Sequence, residues 1–167
     1  LVRHAAGALS NARLFADSER ERRQSEAMAE IARAVGESLK MGEVLRLILR
    51  HAVALLQAEG ACVALREGEY LHVVSALGIT EVLSGVHMPI AGSLSGRVVT
   101  SGAAVVTNDI AAEPDVHRPT VRLVPIARSV IVPLMTARGI LGVIAVYNGP
   151  ADFTTDDARV LQRLADQ

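Results

Sequence analysis

Aromatic residues are scarce in this sequence: among 167 residues there is no tryptophan, and only two phenylalanines and two tyrosines. Phe15, Tyr70, Tyr147 and Phe153 offer few platforms on which bases could stack. The core must therefore come from Val, Ile, Leu and Ala. A charge excess is also missing, because 17 basic residues face 18 acidic ones for a net charge of −1. Nucleic-acid binders usually carry a basic face, so no nucleic-acid partner is expected. Cys62 is the sole cysteine, which excludes an intrachain disulfide and fits a reducing compartment; a cytoplasmic location is expected. No uncharged apolar run approaches the roughly 20 residues that span a bilayer. The longest, Gly139 to Ala151, stops well short, so these residues are expected to make no membrane contact. The opening residues carry Arg3 and His4 with no apolar stretch behind them, unlike a signal peptide. The chain opens on Leu1 and closes inside a helical pattern, as a piece of a longer polypeptide would.

Catalytic patterns are missing as well. Gly92-Ser-Leu-Ser-Gly96 resembles a nucleophile elbow but holds Leu94 where the serine must stand. Lys40 is the one lysine, and no phosphate-binding glycine loop contains it. His4, His51, His72, His87 and His117 are far apart in sequence, with no pair at three- or four-residue spacing to grip a metal. No catalytic residue, no metal site and no obligatory cofactor is expected.

What is present is an apolar half, 50% of the residues, with 21% charged, enough to bury a core. Residues 1 to about 40 contain no proline and read as helix, with Met28, Ile31, Val35 and Leu39 forming an apolar stripe. Upstream, Asp17 to Glu26 is ten polar residues in a row. A helix polar all round commonly bridges domains, supported by pairs such as Glu19 with Arg23. Residues 1–26 are therefore assigned to a helical linker and 27–167 to a globular domain. The apolar pattern is not sustained over three heptads, so a coiled coil does not follow.

A second helix is expected from about Gly42 to Gln57, with Met41, Val44, Leu45, Ile48, Ala52, Leu55 and Leu56 on one face. After Gly60 the period becomes strand-like. Ala61 to Arg66 and Glu69 to Leu77 predict a hairpin. Val86 to Ile90 predicts a short strand, Ser93 to Thr100 a helix closed by Gly102, and residues 103–107 another strand. Asn108 to Ala127 is irregular and holds three prolines, Pro114, Pro119 and Pro125, and loops of that length are usually functional or mobile. Ser129 to Met135 and Ile140 to Tyr147 are apolar almost throughout, as central strands covered on both faces require. Pro133 implies a bulge or an unpaired edge. A final helix begins near Thr155, capped by Thr154 or Thr155, with Asp156 and Asp157 at its positive end and Val160, Leu161 and Leu164 facing inward. Hairpin-joined strands with helices at the ends predict an α+β domain built on an antiparallel sheet.

Three segments in this order resemble the GAF domain family. They are Gly92-Ser-Leu-Ser-Gly96-Arg97 with Asn108-Asp109-Ile110, then Arg128 to Leu134 with Gly139 to Asn148, then Phe153-Thr-Thr-Asp156-Asp157 into Leu161. The resemblance implies a central sheet of five or six strands. Terminal helices would cover one side, and a long loop with a short helix the other. It further implies a sensory, non-catalytic role in a bacterial multidomain signalling protein such as a two-component system. A small ligand would bind between sheet and loop, and the terminal helices would dimerise and pass the signal to an output domain. A histidine kinase or diguanylate cyclase would suit that output. Pocket residues expected on this basis are Val106, Asp109, Arg128, Ile131, Pro133 and Tyr147. Arg128 would hold an anion or pair with an acid such as Asp109. Homodimer contacts would come from Met28, Ile31, Val35, Val160 and Leu164. Leu9-Ser-Asn11-Ala12-Arg13-Leu14-Phe15 resembles the end of a preceding GAF domain, which implies a tandem arrangement.

The family's ligands differ, and the residues bear on each. The cyclic-nucleotide signature is matched at Asn148, Phe153 and Asp157, but Gly149 and Ala158 replace its lysine and glutamate, removing a salt bridge. Tetrapyrrole attachment needs a reactive cysteine, whereas Cys62 sits in a strand. For haem, His117 in the long loop is the one histidine placed to be an axial ligand. The rival reading is a ligand-free structural dimerisation module.

Overall fold

A computed structural model describes the backbone from residue 2 to residue 167 and the side chains from residue 5 onward. The chain divides into two compact units, Leu1–Met41 and Gly42–Gln167.

A single helix, α1 (Val2–Leu56), runs without interruption through Gly36 and Gly42. The helix break expected at Gly42 is absent. A mid-helix glycine costs about 1 kcal/mol, and with no proline nearby the hydrogen-bond ladder simply continues across it. In the first unit Arg22 pairs with Glu19 at 3.1 Å and with Glu26 at 3.5 Å, and Arg33 with Glu37 at 3.6 Å. Arg22, not Arg23, thus takes Glu19. These exposed pairs at three- and four-residue spacing each support the helix by a few tenths, about 0.2–0.5 kcal/mol.

The second unit is built on six antiparallel strands in the order β3-β2-β1-β6-β5-β4. They are β1 (Gly60–Glu67), β2 (Tyr70–Gly78), β3 (His87–Pro89), β4 (Val105–Thr107), β5 (Ser129–Thr136) and β6 (Gly139–Tyr147). Between them lie α2 (Leu94–Ser101) and the short α3 (Arg118–Val121), and α4 (Thr155–Ala165) ends the chain. The expected α+β architecture is the one observed. Strand alternation sorts the sheet residues onto two faces. On one face Ala61, Val63, Val130, Val132, Ile144 and Val146 meet Leu49, Ala52 and Leu56 of α1 and Ala158 and Leu161 of α4. On the other, Cys62, Ala64, Ile131, Val143, Ala145 and Tyr147 meet Leu94, Val98 and Val99 of α2 and Ile110 and Val124 of the long connection.

The buried face of α1 is narrower than the apolar pattern suggested. Leu49, Ala52 and Leu56 are buried, but Met41, Val44, Leu47 and Leu55 are 58%, 53%, 52% and 60% exposed. The apolar residues of this segment therefore divide between a core face and an outward face.

Local signals explain the element ends. Ser93 caps α2 by accepting from the Gly96 amide at 3.0 Å, and Gly102, at φ 72°, closes it. Thr154 and Asp157 form a reciprocal capping box on α4. Pro133 lies on β5 beyond the reach of β4, which pairs only with Ser129 to Ile131. Its carbonyl, on the side its missing N–H would face, accepts from Gln162 Nε2 of α4 at 3.2 Å. The register of β5 on β6 shifts one residue later, between Leu134 and Met135. No helix among the described residues is long and apolar enough to cross a membrane.

Candidate functional site

The face of the sheet opposite α1 and α4 carries a small cavity. Its floor is Met88 of β3, Ile131 of β5 and Tyr147 of β6; its wall is Ser93, Leu94 and Ser95 at the start of α2. The roof comes from the connection between β4 and β5, through Ile110, Val116, His117, Thr120, Val121 and Ile126. The cavity volume is about 40 Å³, enough for a few water-sized groups, since one water needs about 10–15 Å³ on this measure.

Its polar atoms are mostly committed. Ser93 Oγ donates to the Pro89 carbonyl at 2.8 Å while accepting from Gly96. His117 Nδ1 lies 2.7 Å from Thr120 Oγ1, which leaves Nε2 as its uncommitted nitrogen. Tyr147 Oη lies 3.9 Å from Cys62 Sγ. Burial pushes the Cys62 thiol up to about 11, only partly offset by that contact. The thiol therefore stays protonated and unreactive near neutrality, the opposite of an attachment site. Burial likewise pushes the Tyr147 phenol well above its ordinary range. Ser129 Oγ is buried with no hydrogen-bond partner. By strand alternation Ser129 shares its face with Ile131, and an orphaned hydroxyl there calls for a bound water or another polar group.

Two asparagines fasten the ends of the roof. Asn108 accepts from the Phe153 amide at 2.7 Å and donates to the Phe153 carbonyl at 3.0 Å. Asn148, at φ 54°, accepts from the Ala127 and Arg128 amides at 2.9 and 3.3 Å. It also donates to the Pro125 carbonyl at 2.9 Å and to Glu59 at 2.7 Å. Midway, Arg97 of α2 pairs with Glu113 at 3.1 Å and Asp115 at 3.6 Å. Asn148→Ala should therefore destabilise the domain by about 2–3 kcal/mol, from several lost hydrogen bonds plus left-handed backbone strain. Asn148→Gly should recover about 1 kcal/mol of that by removing the strain. Urea denaturation of both variants checks the order, and faster amide exchange across 109–127 should accompany each.

Of the six expected pocket residues, Ile131 and Tyr147 line the cavity. Val106 packs toward the α1 and α4 side. Asp109 caps the short turn Ile110–Ala112, accepting from the Ala112 amide at 3.3 Å. Arg128 pairs with Asp152 at 3.2 Å rather than with Asp109, and Pro133 is buried in β5. His117 does reach the cavity. Val116, Thr120, Val121 and Ile126 had no sequence signal, because an irregular connection has no period from which to read its inward side. The residues matching the cyclic-nucleotide signature do scaffold work. Asn148 holds the roof, Phe153 is buried on the helix side, and Asp157 caps α4. A Cβ on Gly149 would press on the Phe153 ring at 2.8 Å.

A protein-family model described as GAF domain matches residues 38–167. Comparison with curated protein sequences gives no match. Among solved structures, the GAF-B domain of DevS from Mycobacterium smegmatis is 21% identical at TM-score 0.61, covering 75% of this chain and 87% of that one. The GAF domain of an Acinetobacter phosphoenolpyruvate-protein phosphotransferase is 18% identical at TM-score 0.63, covering 74% and 75%. Residues 122 to 287 of a methyl-accepting chemotaxis protein are 24% identical at TM-score 0.64, covering 75% and 84%.

Proposed function

The chain belongs to the GAF domain family, and we propose that it is a non-catalytic sensory module whose cavity takes a small ligand and whose terminal helices relay the event. The observation that carries this reading is the roofed cavity, whose floor strands carry α1 and α4 on their opposite face. Ile131 faces the cavity while Val130 and Val132 beside it face the helices, and Tyr147 has the same relation to Val146. A ligand that prefers one packing of the roof biases that packing and shifts what the sheet presents to the helices. The signal would reach an output domain outside this sequence.

Volume limits the ligand. About 40 Å³ is an order of magnitude below the ~300–1,000 Å³ of ordinary small-molecule sites. Haem, a tetrapyrrole or a cyclic nucleotide would require the roof to lift, whereas a metabolite of a few heavy atoms would not. Acid–base chemistry finds little support, because the titratable lining groups are His117 and a phenol pushed above its ordinary range.

Native mass spectrometry beside a denatured control, with an absorption spectrum of the same sample, is the test. The expected result is an extra mass that vanishes on denaturation, without a Soret band. A clean apo mass with a dimer peak would favour a ligand-free dimerisation module, the reading that the small cavity supports.

A further inference from the structure

The edge of the sheet opposite β4 brings together three side chains that sequence spacing keeps apart. β2 and β3 pair antiparallel with His72 directly across from His87. Their rings stack, centroids 4.1 Å apart and planes 8° from parallel. Glu67, the last residue of β1, reaches both: Oε1 lies 2.9 Å from His72 Nδ1 and Oε2 lies 3.3 Å from His87 Nε2. The two nitrogens and a carboxylate oxygen all lie within 4.8 Å of one another.

We propose that Glu67, His72 and His87 form a binding site for a divalent transition-metal ion, with Zn²⁺ as the reference case. Two imidazoles and one carboxylate are a donor set for zinc and its first-row neighbours, whereas Mg²⁺ and Ca²⁺ prefer all-oxygen shells. Zinc bonds of about 2.1 Å in a tetrahedral shell place donors about 3.4 Å apart. Side chains that are 28%, 50% and 55% exposed can rotate the remaining distance, and water would complete the shell. Hydrogen bonding from His72, with a smaller contribution from His87, holds the Glu67 carboxyl below its usual range, and those contacts would give way to bonds with the ion. The fold itself gains little from an exposed cluster of this kind, so it is free to serve an ion.

The position gives the site a consequence. His72 lies between Leu71 and Val73, both in the cavity-side core, and His87 precedes Met88, which lines the cavity. An ion held by all three side chains would clamp the three-residue edge strand β3 to the β1–β2 hairpin from the opposite face. Metal would thereby hold Met88 in place beneath any ligand. Metal binding itself does not depend on the cavity being occupied, so the site can be tested apart from the sensory reading.

Isothermal titration of chelator-treated, tag-free protein with ZnCl₂ tests the assignment. The expected result is one saturable site that survives excess Mg²⁺. His72→Gln and His87→Gln should each weaken it tenfold or more, and Glu67→Gln should weaken it less. Amide exchange in β3 should slow on zinc addition in the wild type and not in the histidine variants. Metal-free circular dichroism and melting of the variants should match the wild type, since the substituted side chains are exposed or only half-buried. Absence of saturable binding, or binding unchanged in both histidine variants, would overturn the assignment.

Discussion

Gly96→Ala is expected to destabilise the domain by about 3 kcal/mol or more, although alanine is the better helix former by about 1 kcal/mol. A Cβ at position 96 would run into the carbonyl of Ile90. That obstacle is backbone and cannot swing aside as a side chain would. Relief requires α2 to retreat, which breaks the contact between the Gly96 amide and Ser93 Oγ and lifts Leu94, Val98 and Val99 out of the cavity-side core. Gly142→Ala should behave alike, because its Cβ would meet the Ala64 carbonyl where β6 lies against β1. The control is Gly36→Ala in α1, where a Cβ meets nothing within 4 Å. That change should stabilise the helix locally by about 0.5–1 kcal/mol. Urea midpoints of the three variants give the comparison, and a Gly96→Ala protein as stable as wild type would rule out the close approach.

The second large effect concerns association. Val44, Leu47 and Leu55 on α1 are exposed by 53%, 52% and 60% in the globular unit. Met28, Ile31 and Val35 in the preceding unit are exposed by 62%, 58% and 52%. We propose that both sets are covered in a homodimer of this chain. Val160 and Leu164 of α4 pack partly on the helix-side core of their own chain, so they would contribute at the margin. Val44→Glu combined with Leu55→Glu should raise the dimer dissociation constant at least 100-fold, equivalent to about 2.8 kcal/mol. Isolated helices are marginal in water, so the monomer should also lose far-UV helicity from α1. Sedimentation equilibrium on wild type and variant decides it. A wild-type protein that stays monomeric at several hundred micromolar would end the dimer proposal.

The order and type of nearly every element of the globular unit were legible in the sequence, and so was the need to cover both faces of its central strands. Apolar runs at Ser129 to Met135 and Ile140 to Tyr147 could only be central strands, because both of their faces needed cover. Thr154 with Asp157, and Ser93 with Gly102, mark helix ends by chemistry confined to a few neighbouring residues. Gly142 and Gly96 could be read as places of close approach, since a glycine inside a strand or helix otherwise only costs stability.

The site was less legible. Ile131 and Tyr147 were expected from the family resemblance, which sets the pocket against the sheet, whereas the roof residues lie in a connection whose path is fixed by distant groups. Asn108 reaches Phe153, Asn148 reaches Ala127 and Glu59, and Arg97 reaches Glu113. Periodicity misled at α1, where it could not tell the apolar face turned to the sheet from the one left in solvent.

The five histidines show the limit most plainly. Their spacing offered no pair, because sequence distance reveals only neighbours on one helix or one strand. The hairpin and the register of β3 on β2 set His72 opposite His87 and brought Glu67 to both. Local chemistry and hydrophobic period, written along the chain, determined the elements and their order. Strand register, backbone approach and side chains reaching across the fold depend on long-range contacts, so only the tertiary structure decided the cavity and the meeting of Glu67, His72 and His87.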